Sequence, residues 1–393
     1  MERLFSQPQL GLDDQVVLDE IREIRGKLAS VLRAPKRWQG ALRRSAQARA
    51  IQGSNSIEGY TVTDADAAAA VDDEPPLTAD QKTWAEIIGY RRVLTYVLQV
   101  AAEPAFDIDE SVLKSMHFML LEHELMKSPG RYRTGPIYVQ DDRAQRVVYE
   151  GPDALLVPAL MKALVKDLAD VSGDALVRAA MAHLNLVLIH PFRDGNGRMA
   201  RAVQTMVLAQ DRVVEPMFSS VEEWLGHNTD DYYAVLAATA GGGWNPDRDC
   251  RYWVQFILRA HHMQAQTVAR RFEEATRQWE LIDELVASHG LPDRAADAMF
   301  DAVLGIRITR PTYVKRTGIE ERTATRDLAR LVELGLLVGS GQTRGRTYSA
   351  GAPLVRLRNE LVHSRAPIED PYPDLIAEIR VMASAAANAD GTR

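Results

Sequence analysis

The sequence predicts a mainly α-helical protein: a helical bundle with a small β-hairpin, followed by a winged helix-turn-helix module. Apolar residues recur at the spacing of amphipathic helices over most of the chain. One pair of short β-prone runs lies near the middle of the chain. A second pair follows three short helical runs near the C-terminal end. These three observations define the fold class.

Composition limits the class of protein. The chain has 393 residues, of which 46% are hydrophobic and 26% charged, enough for a sizeable core and two or three domains. Its single cysteine, Cys250, excludes a disulfide framework and a cysteine-rich zinc site. We find no signal peptide and no membrane-spanning run, so we expect a cytoplasmic protein without membrane contact. A net charge of −7 argues against non-specific nucleic-acid binding by the whole chain.

The strongest chemical signal lies in residues 189–201, Ile-His-Pro-Phe-Arg-Asp-Gly-Asn-Gly-Arg-Met-Ala-Arg. Apolar patterns on both sides predict one buried helix that ends near Ile189 and another that begins near Asn196. A loop that leads into a helix N-terminus presents free backbone N–H groups and the positive end of the helix dipole, which favours an anion. Gly195 and Gly197 would let the backbone approach a ligand closely.

Two arginines in the first turns of the second helix have no local structural reason. Arg198 and Arg201 place positive charge near the positive end of the dipole, so we expect an anion to neutralise them. A polyphosphate suits the set, with backbone amides and Asn196 on one phosphate and the arginines on others. Asp194 would hold Mg²⁺ through oxygen. His190, at the start of the loop, would take a proton from an attacking hydroxyl.

From His190 to Arg201 this string resembles the Fic family signature, His-Pro-Phe-x-(Asp/Glu)-Gly-Asn-Gly-Arg-x-x-Arg, at every defined position. The resemblance implies a Fic-type helical bundle and an enzyme that transfers AMP from ATP to a Ser, Thr or Tyr hydroxyl of a target protein, or of the enzyme itself. It makes His190 the general base and Asp194 the Mg²⁺ ligand. The implied nucleotide-binding residues are Gly195, Asn196, Gly197, Arg198, Arg201, Asn228 and Tyr232.

A second motif lies nearer the N-terminus. Ser54 and Glu58 are four residues apart, on one face of a short predicted helix that Gly59 would end. A carboxylate is unfavourable at a helix C-terminus and would gain from a cationic partner. The string resembles the inhibitory motif of the Fic family, (Ser/Thr)-x-x-x-Glu-(Gly/Asn), in the subclass whose inhibitory helix precedes the Fic core. The resemblance implies that Glu58 pairs with Arg201 and prevents productive binding of the γ-phosphate; the alternative is a plain capped turn.

The predicted hairpin consists of Ile137–Val139 and Arg146–Tyr149, with Asp141-Asp-Arg-Ala between them. In the Fic family a hairpin flap at the matching place holds a target segment by strand addition. This mode of binding recognises backbone and so specifies little about the target sequence. A plain surface hairpin would have the same pattern, so both interpretations stay open.

The C-terminal module, residues 290–350, predicts a winged helix-turn-helix. Helical stretches at 298–304, 312–317 and 323–334 precede strands at 336–338 and 346–348. Residues 305–349 contain nine Lys or Arg and four acidic residues. The basic side chains that would contact DNA are Arg322, Arg326 and Arg330 on the recognition helix and Arg344 and Arg346 on the wing. Protein contacts or a homodimer are the alternatives for this module.

The predicted domains are an N-terminal region with the inhibitory motif (1–75), a Fic catalytic domain (76–285), the C-terminal module (290–350), and a final helix and tail (351–393). The favoured function is transfer of AMP from ATP to protein, with Mg²⁺ as cofactor and with autoinhibition by Glu58 on Arg201. Two alternatives stay open. In the first, Glu58 activates water for the removal of AMP from a protein, in a deAMPylase or in a bifunctional enzyme. In the second, the chain is a DNA-binding transcriptional regulator whose Fic region senses nucleotide.

Overall fold

The computed structural model describes residues 3–100, 103, 106–141, 146–211, 215–341, 346–363 and 365–381. Its helices are α1 (Leu12–Leu32), α2 (Gln39–Ile57), α3 (Asp64–Asp72), α4 (Gln81–Val100), α5 (Glu110–Leu121), α6 (Val157–Ala169), α7 (Ala175–Ile189), α8 (Asn196–Asp211), α9 (Pro216–Ser219), α10 (Glu222–His227), α11 (Thr229–Ala240), α12 (Arg251–Ser288), α13 (Ala295–Val303), α14 (Arg310–Thr317), α15 (Glu321–Glu333) and α16 (Ala352–His363). Its strands are β1 (Tyr138–Asp141), β2 (Arg146–Glu150), β3 (Ile308–Thr309), β4 (Leu337–Ser340) and β5 (Thr347–Ala350). The prediction of a mainly α-helical protein with a small hairpin is confirmed.

Buried apolar side chains form two clusters. The first contains much of α4, α7 and α8, and the second joins the C-terminal module to the C-terminal half of α12. Helix α2 contributes to both, because Trp38 and Leu42 lie in the second cluster while Ile51 and Ile57 lie in the first. Helix α12 also spans the two clusters. The segments on either side of the predicted boundary near residue 285 therefore share buried surface.

Helix α7 ends and helix α8 begins where the sequence predicts. The side chain of Asp174 caps α7 by accepting the N–H of Leu176 at 2.8 Å. Helix α7 is buried around nearly its whole circumference, which explains its continuous apolar run. Helix α8 begins at Asn196 and packs against α7, so the loop between them lies at one end of an antiparallel helix pair.

Helix α2 differs from its prediction. The sequence predicts only a short helix around Ser54 and Glu58, but the chain forms one continuous helix from Gln39 to Ile57, with Glu58 as the C-cap residue. In its second half, small and polar residues are buried beside Ile51 and Ile57, and the helix packs on α10 by direct backbone contact. A Cβ at Gly53 would lie only 2.2 Å from the carbonyl oxygen of Glu222. Periodicity missed this helix because close backbone contact, rather than a broad apolar stripe, buries it.

The hairpin and the C-terminal module both contain antiparallel sheets. Strands β1 and β2 pair with Tyr138 opposite Glu150, and the turn at 142–145 lies outside the described residues. In the module the strand order is β3-β5-β4; β3 was not predicted because two residues are too short for a pattern. The three predicted helices and two predicted strands of the module are present. Its assignment as a winged helix stays a prediction; Arg344 and the tail from 382 lie outside the described part.

None of the helices in the described ranges combines the length and apolar character that a membrane crossing needs.

The contact between α2 and α10 leads to a stability prediction. We expect Gly53→Ala to cost about 1–3 kcal/mol, because the methyl group would overlap backbone atoms of α10. In a chain of 393 residues each kcal/mol lowers Tm by about 1–2 °C, because the entropy of unfolding grows with chain length. Gly26→Ala is the matched control, since Gly26 is exposed within α1 and has open space around it; we expect a gain of about 0.5–1 kcal/mol. Equal melting temperatures for the two variants would contradict this packing.

Candidate active site

The loop between α7 and α8 is held in shape by its own residues. His190 ends α7 in the left-handed region, with φ 50°, an uncommon conformation for a residue with a Cβ. The side chain of Asn196 accepts the N–H of Phe192 and donates to its carbonyl, both at 2.9 Å. This pair of hydrogen bonds closes the loop. The amide that was predicted to bind phosphate is therefore used within the loop, and its phosphate contact stays a prediction.

His190 is oriented as a proton acceptor. Its Nδ1 lies 3.1 Å from the carbonyl oxygen of Val187, and in a neutral ring the nitrogen that faces a carbonyl carries the proton. The Nε2 atom is then unprotonated. Burial lowers the pKa of His190, the hydrogen bond to Val187 partly opposes this, and the nearby charge of Arg133 lowers the pKa further. The neutral imidazole that a general base requires is therefore favoured.

Arg133 stabilises the loop through hydrogen bonds to its backbone carbonyl groups. Its Nε donates to the carbonyl of His190 and its backbone N–H to the carbonyl of Pro191, both at 2.8 Å. Its Nη2 donates to the carbonyl of Pro152 at 2.5 Å, which ties the segment after the hairpin to the same guanidinium. Sequence reasoning missed this role because arginine before a hairpin carries no motif.

Ser54, Glu58 and Arg201, predicted to act together, are in contact. Arg201 is buried, with 1% of its side chain exposed, and its Nη2 donates to Glu58 Oε1 at 2.6 Å. Its Nε donates to the hydroxyl of Ser54 at 2.9 Å, and Nη2 also reaches the Ser54 carbonyl at 3.0 Å. Burial lowers the pKa of Arg201, but Glu58, Tyr232 and Tyr90 together raise it, and the net pKa is raised. A Cβ at Gly197 would lie 2.6 Å from Glu58 Oε1, so glycine there permits the approach.

Arg198 has a carboxylate partner of its own. Its Nη1 donates to Glu86 of α4, and both side chains are almost completely buried. Glu86 also accepts the hydroxyl of Tyr60 at 2.8 Å, and His123 Nε2 lies 3.3 Å from the same oxygen. Burial raises the pKa of Glu86, but Arg198, Tyr60 and His123 together lower it, and the net pKa is lowered. This pairing was not predicted, since Glu86 stands within an ordinary amphipathic pattern.

Asp194, the predicted Mg²⁺ ligand, pairs with an ammonium group. Lys127 Nζ lies 2.5 Å from its Oδ2, and its Oδ1 accepts the N–H of Gly195 at 2.6 Å. Burial raises the pKa of Asp194 and the contact with Lys127 lowers it, with a net lowering that keeps the group ionised. An ionised carboxylate beside a phosphate site fits Mg²⁺, which binds one or two carboxylates together with phosphate oxygens. The ion would have to replace Lys127 at Oδ2.

The two predicted residues beyond α8 are placed differently from one another. Asn228 lies between α10 and α11 and donates its side-chain N–H to the carbonyl of Trp224 at 2.8 Å. Tyr232 is in the core with 1% exposure, and its hydroxyl lies 2.9 Å from His183 Nε2. Contact between its ring and a nucleotide would require a change of conformation. Its neighbour Tyr233 is 45% exposed and donates to the carbonyl of Ile57, beside Glu58.

The model of the Fic/DOC family matches residues 107–208, a segment that includes the hairpin, α7 and the signature. The chain contains a Fic domain. The match is shorter than the predicted range 76–285, and Glu58 and Glu86 lie outside it.

Two curated relatives of the Fic domain are both named as protein adenylyltransferases. The protein adenylyltransferase Fic of Nematostella vectensis is 29% identical over 258 residues, which cover 64% of this chain and 55% of the relative. The protein adenylyltransferase fic-1 of Caenorhabditis elegans is 27% identical over 182 residues, 44% of this chain and 31% of the relative. This chain therefore spans about half of the first relative's length and a third of the second's.

Solved structures share the fold. A Fic family protein from Desulfovibrio desulfuricans G20 aligns over 88% of this chain and 98% of its own, with a TM-score of 0.55 and 25% identity. Fic-1 from Caenorhabditis elegans (residues 134–508) aligns over 66% of this chain and 72% of its own, with a TM-score of 0.50 and 23% identity. The first alignment extends well beyond the Fic domain, into most of the remaining chain.

The environment of His190 leads to a prediction about its titration. We expect the imidazole to titrate below its usual pKa of 6.5, because burial and Arg133 disfavour the charged form, and so to be neutral at pH 7. Proton–nitrogen NMR of histidine-labelled protein measures this, with His190→Ala to assign the signal. An imidazole that is half protonated at pH 6.5 or above would contradict the expectation.

Proposed function

We propose that this protein is an autoinhibited protein adenylyltransferase that transfers AMP from ATP to a Ser, Thr or Tyr hydroxyl of a protein, itself included. The observation that carries the proposal is the arrangement of the signature. It combines a histidine whose Nδ1 faces a carbonyl and whose Nε2 is therefore unprotonated, a helix N-terminus and two buried arginines. Matching relatives named as protein adenylyltransferases support the choice of reaction.

The reaction is an in-line displacement at the α-phosphorus of ATP. The target hydroxyl oxygen bonds to that phosphorus, its proton passes to His190 Nε2, and the bond to the bridging oxygen of the β-phosphate breaks, which releases pyrophosphate. Backbone N–H groups at Gly195 and Gly197, with Arg198 and Arg201, offset the charge on the phosphates. The protein mainly orients the reactants and stabilises charge that develops during the displacement.

Asp194 would hold Mg²⁺ in the working enzyme, with Lys127 displaced from Oδ2. The ion would supply positive charge to the phosphate oxygens. In this structure Lys127 neutralises the same carboxylate, whose side chain is half-buried.

Inhibition follows from competition for one guanidinium. Glu58 and Ser54 take two nitrogens of Arg201, so a γ-phosphate must compete with the Glu58 carboxylate for the same donors. Glu58 is suited to be displaced, because it lies just beyond the end of α2 and 22% of its side chain is exposed.

The hairpin is the part of the proposed enzyme that would bind a target segment by strand addition. Tyr138 and Val147, one on each of its strands, are each 50% exposed.

We expect Glu58→Gly to raise self-modification by about 10- to 100-fold, the equivalent of one lost hydrogen bond to a charged group. The reason is that Arg201 then becomes available to the γ-phosphate. The measurement is incorporation of labelled AMP from ATP, confirmed by intact mass.

Two variants control this experiment. Glu58→Gly combined with His190→Ala should abolish labelling, because the base is lost. Glu122→Gly makes the same change at the C-cap of α5, where Glu122 pairs with Arg92, and should leave labelling at the parent level. A folded but inert Glu58→Gly protein would count against the proposal. Removal of AMP from pre-modified protein by the parent, and not by Glu58→Gly, would establish the reverse activity with Glu58 activating water.

We propose a second activity for the C-terminal module, binding of duplex DNA through α15. Arg322 and Arg326 are exposed on this helix, and neither forms a salt bridge with another described residue. Arg330 pairs with Glu333 at 2.7 Å. Arg316, which contributes to the basic count, instead faces α3 and pairs with Asp72. Fewer basic side chains of the module are therefore free to contact DNA than the count from the sequence indicates.

Fluorescence anisotropy with a labelled random-sequence duplex tests this activity. We expect binding to weaken as the salt concentration rises. The slope of log affinity against log salt concentration should become shallower by about one unit in Arg322→Ala and in Arg326→Ala, because each variant loses a phosphate contact. Arg330→Ala serves as the ion-paired control, with a smaller effect. No binding at low salt would remove the DNA proposal and leave the adenylyltransferase proposal intact.

A further inference from the structure

Each of the two signature arginines contacts a carboxylate from outside the signature. Arg201 pairs with Glu58 of the inhibitory motif, and Arg198 pairs with Glu86 of α4. Both arginines are buried, and both keep a buried N–H without a partner among the described residues, Nε in Arg198 and Nη1 in Arg201. Both carboxylates therefore stand where they could either block a phosphate or prepare an arginine for one.

The two carboxylates differ in how firmly they are held. Glu58 is the C-cap residue of α2, partly exposed, and Arg201 supplies its salt bridge. Glu86 lies in the first half of α4, and its side chain is 0% exposed. Removal of Glu86 from its position would leave a buried charge without a partner, a large cost. Glu58 can exchange partners with solvent at hand, and Glu86 cannot.

The surroundings of Glu86 fix both of its oxygens. Oε2 accepts from Arg198, while Oε1 accepts the hydroxyl of Tyr60 at 2.8 Å and lies 3.3 Å from His123 Nε2. Lys127 Nζ lies 3.9 Å from Oε1 and 2.5 Å from Asp194, so the carboxylate belongs to the same charged cluster as the proposed Mg²⁺ ligand. The guanidinium of Arg198 also lies over the ring of Tyr60, 5.8 Å from its centre. One end of Arg198 is therefore fixed in place.

We propose that Glu86 is a positioning residue for nucleotide binding: a permanent counter-ion that holds one end of Arg198 and leaves the Nε side for a phosphate of ATP. The inference rests on the proposed adenylyltransferase function and adds a residue outside the family match. A preoriented guanidinium loses less conformational freedom when it binds phosphate, so a fixed partner favours affinity. Glu86 thus has the opposite effect to Glu58, although each pairs with an arginine of the same signature.

The two roles differ in the sign of their mutational effect. If Glu86 inhibited as Glu58 does, its removal would release Arg198 and raise activity. If it positions Arg198, its removal lowers the affinity for ATP. A contact made equally in the ground state and the transition state changes KM and leaves kcat nearly unchanged.

The test compares Glu58→Gly with the double variant that also carries Glu86→Gln. We expect KM for ATP to rise about 10- to 100-fold in the double variant, from the lost charged contact, with kcat changed by less than about threefold. The Kd of a fluorescent ATP analogue, measured without catalysis, should rise by the same factor. An unchanged or lower KM, or higher activity at limiting ATP, would overturn the inference. Failure of Glu58→Gly itself to label would instead overturn the proposed function.

Three further variants separate positioning from a loss of fold. Glu223→Gln breaks a partly buried carboxylate–arginine pair, with Arg271, outside the signature, and should lower Tm without a change in KM. Glu86→Asp keeps the charge and should recover part of the ATP affinity. Tyr60→Phe keeps the pair with Arg198 and removes one hydrogen bond, so it remains informative if Glu86→Gln does not fold. A Tyr60→Phe protein whose KM equals that of its parent would overturn the inference in that case.

Discussion

Two guanidinium groups lie buried at the N-terminal end of α8, where the helix dipole is also positive. Such charges need counter-ions, and the fold supplies one from each of two neighbouring helices, Glu58 from the end of α2 and Glu86 from α4. The positions of α2 and α4 around the signature thus follow from the same electrostatic requirement. An anionic ligand that binds at this loop meets two arginines that are already paired, Arg201 with the partly exposed Glu58 and Arg198 with the buried Glu86.

Helix α2 connects this site to the rest of the chain. Its second half packs against α10 by backbone contact and carries the inhibitory motif, while its first half lies in the core that includes the C-terminal module. Arg44, on the same helix, pairs with Asp301 of α13 at 3.3 Å. Because α2 is one unbroken helix, its ends cannot shift independently without loss of backbone hydrogen bonds. The Glu58 carboxylate, which we propose to be inhibitory, is therefore attached to a helix that packs against both halves of the protein.

Prediction from sequence succeeded where a local signal was strong. Helices α7 and α8 have clear apolar periodicity, so the end of α7 and the start of α8 were predicted to within a residue or two. The signature identified the loop between them. Prediction failed where burial came from something other than an apolar stripe. Only the C-terminal end of α2 was predicted, because glycine, serine and alanine form much of the buried face of its second half. Helix α3 lies in an alanine-rich stretch for which no helix was predicted, and β3 has too few residues for a pattern.

The sequence by itself determined the chemistry of the loop, because His190, Asp194 and the two arginines lie within twelve residues of one another and form a recognisable string. It also identified Glu58 as a partner for Arg201. Only the tertiary structure decided which groups complete the site from a distance. Glu86, Lys127 and Arg133 are separated from the signature by at least 57 residues (190 − 133) and carry no motif; the packing of α4 and of the segments around the hairpin brings them into contact with it. Burial, likewise a tertiary property, distinguishes the partly exposed Glu58 from the fully buried Glu86.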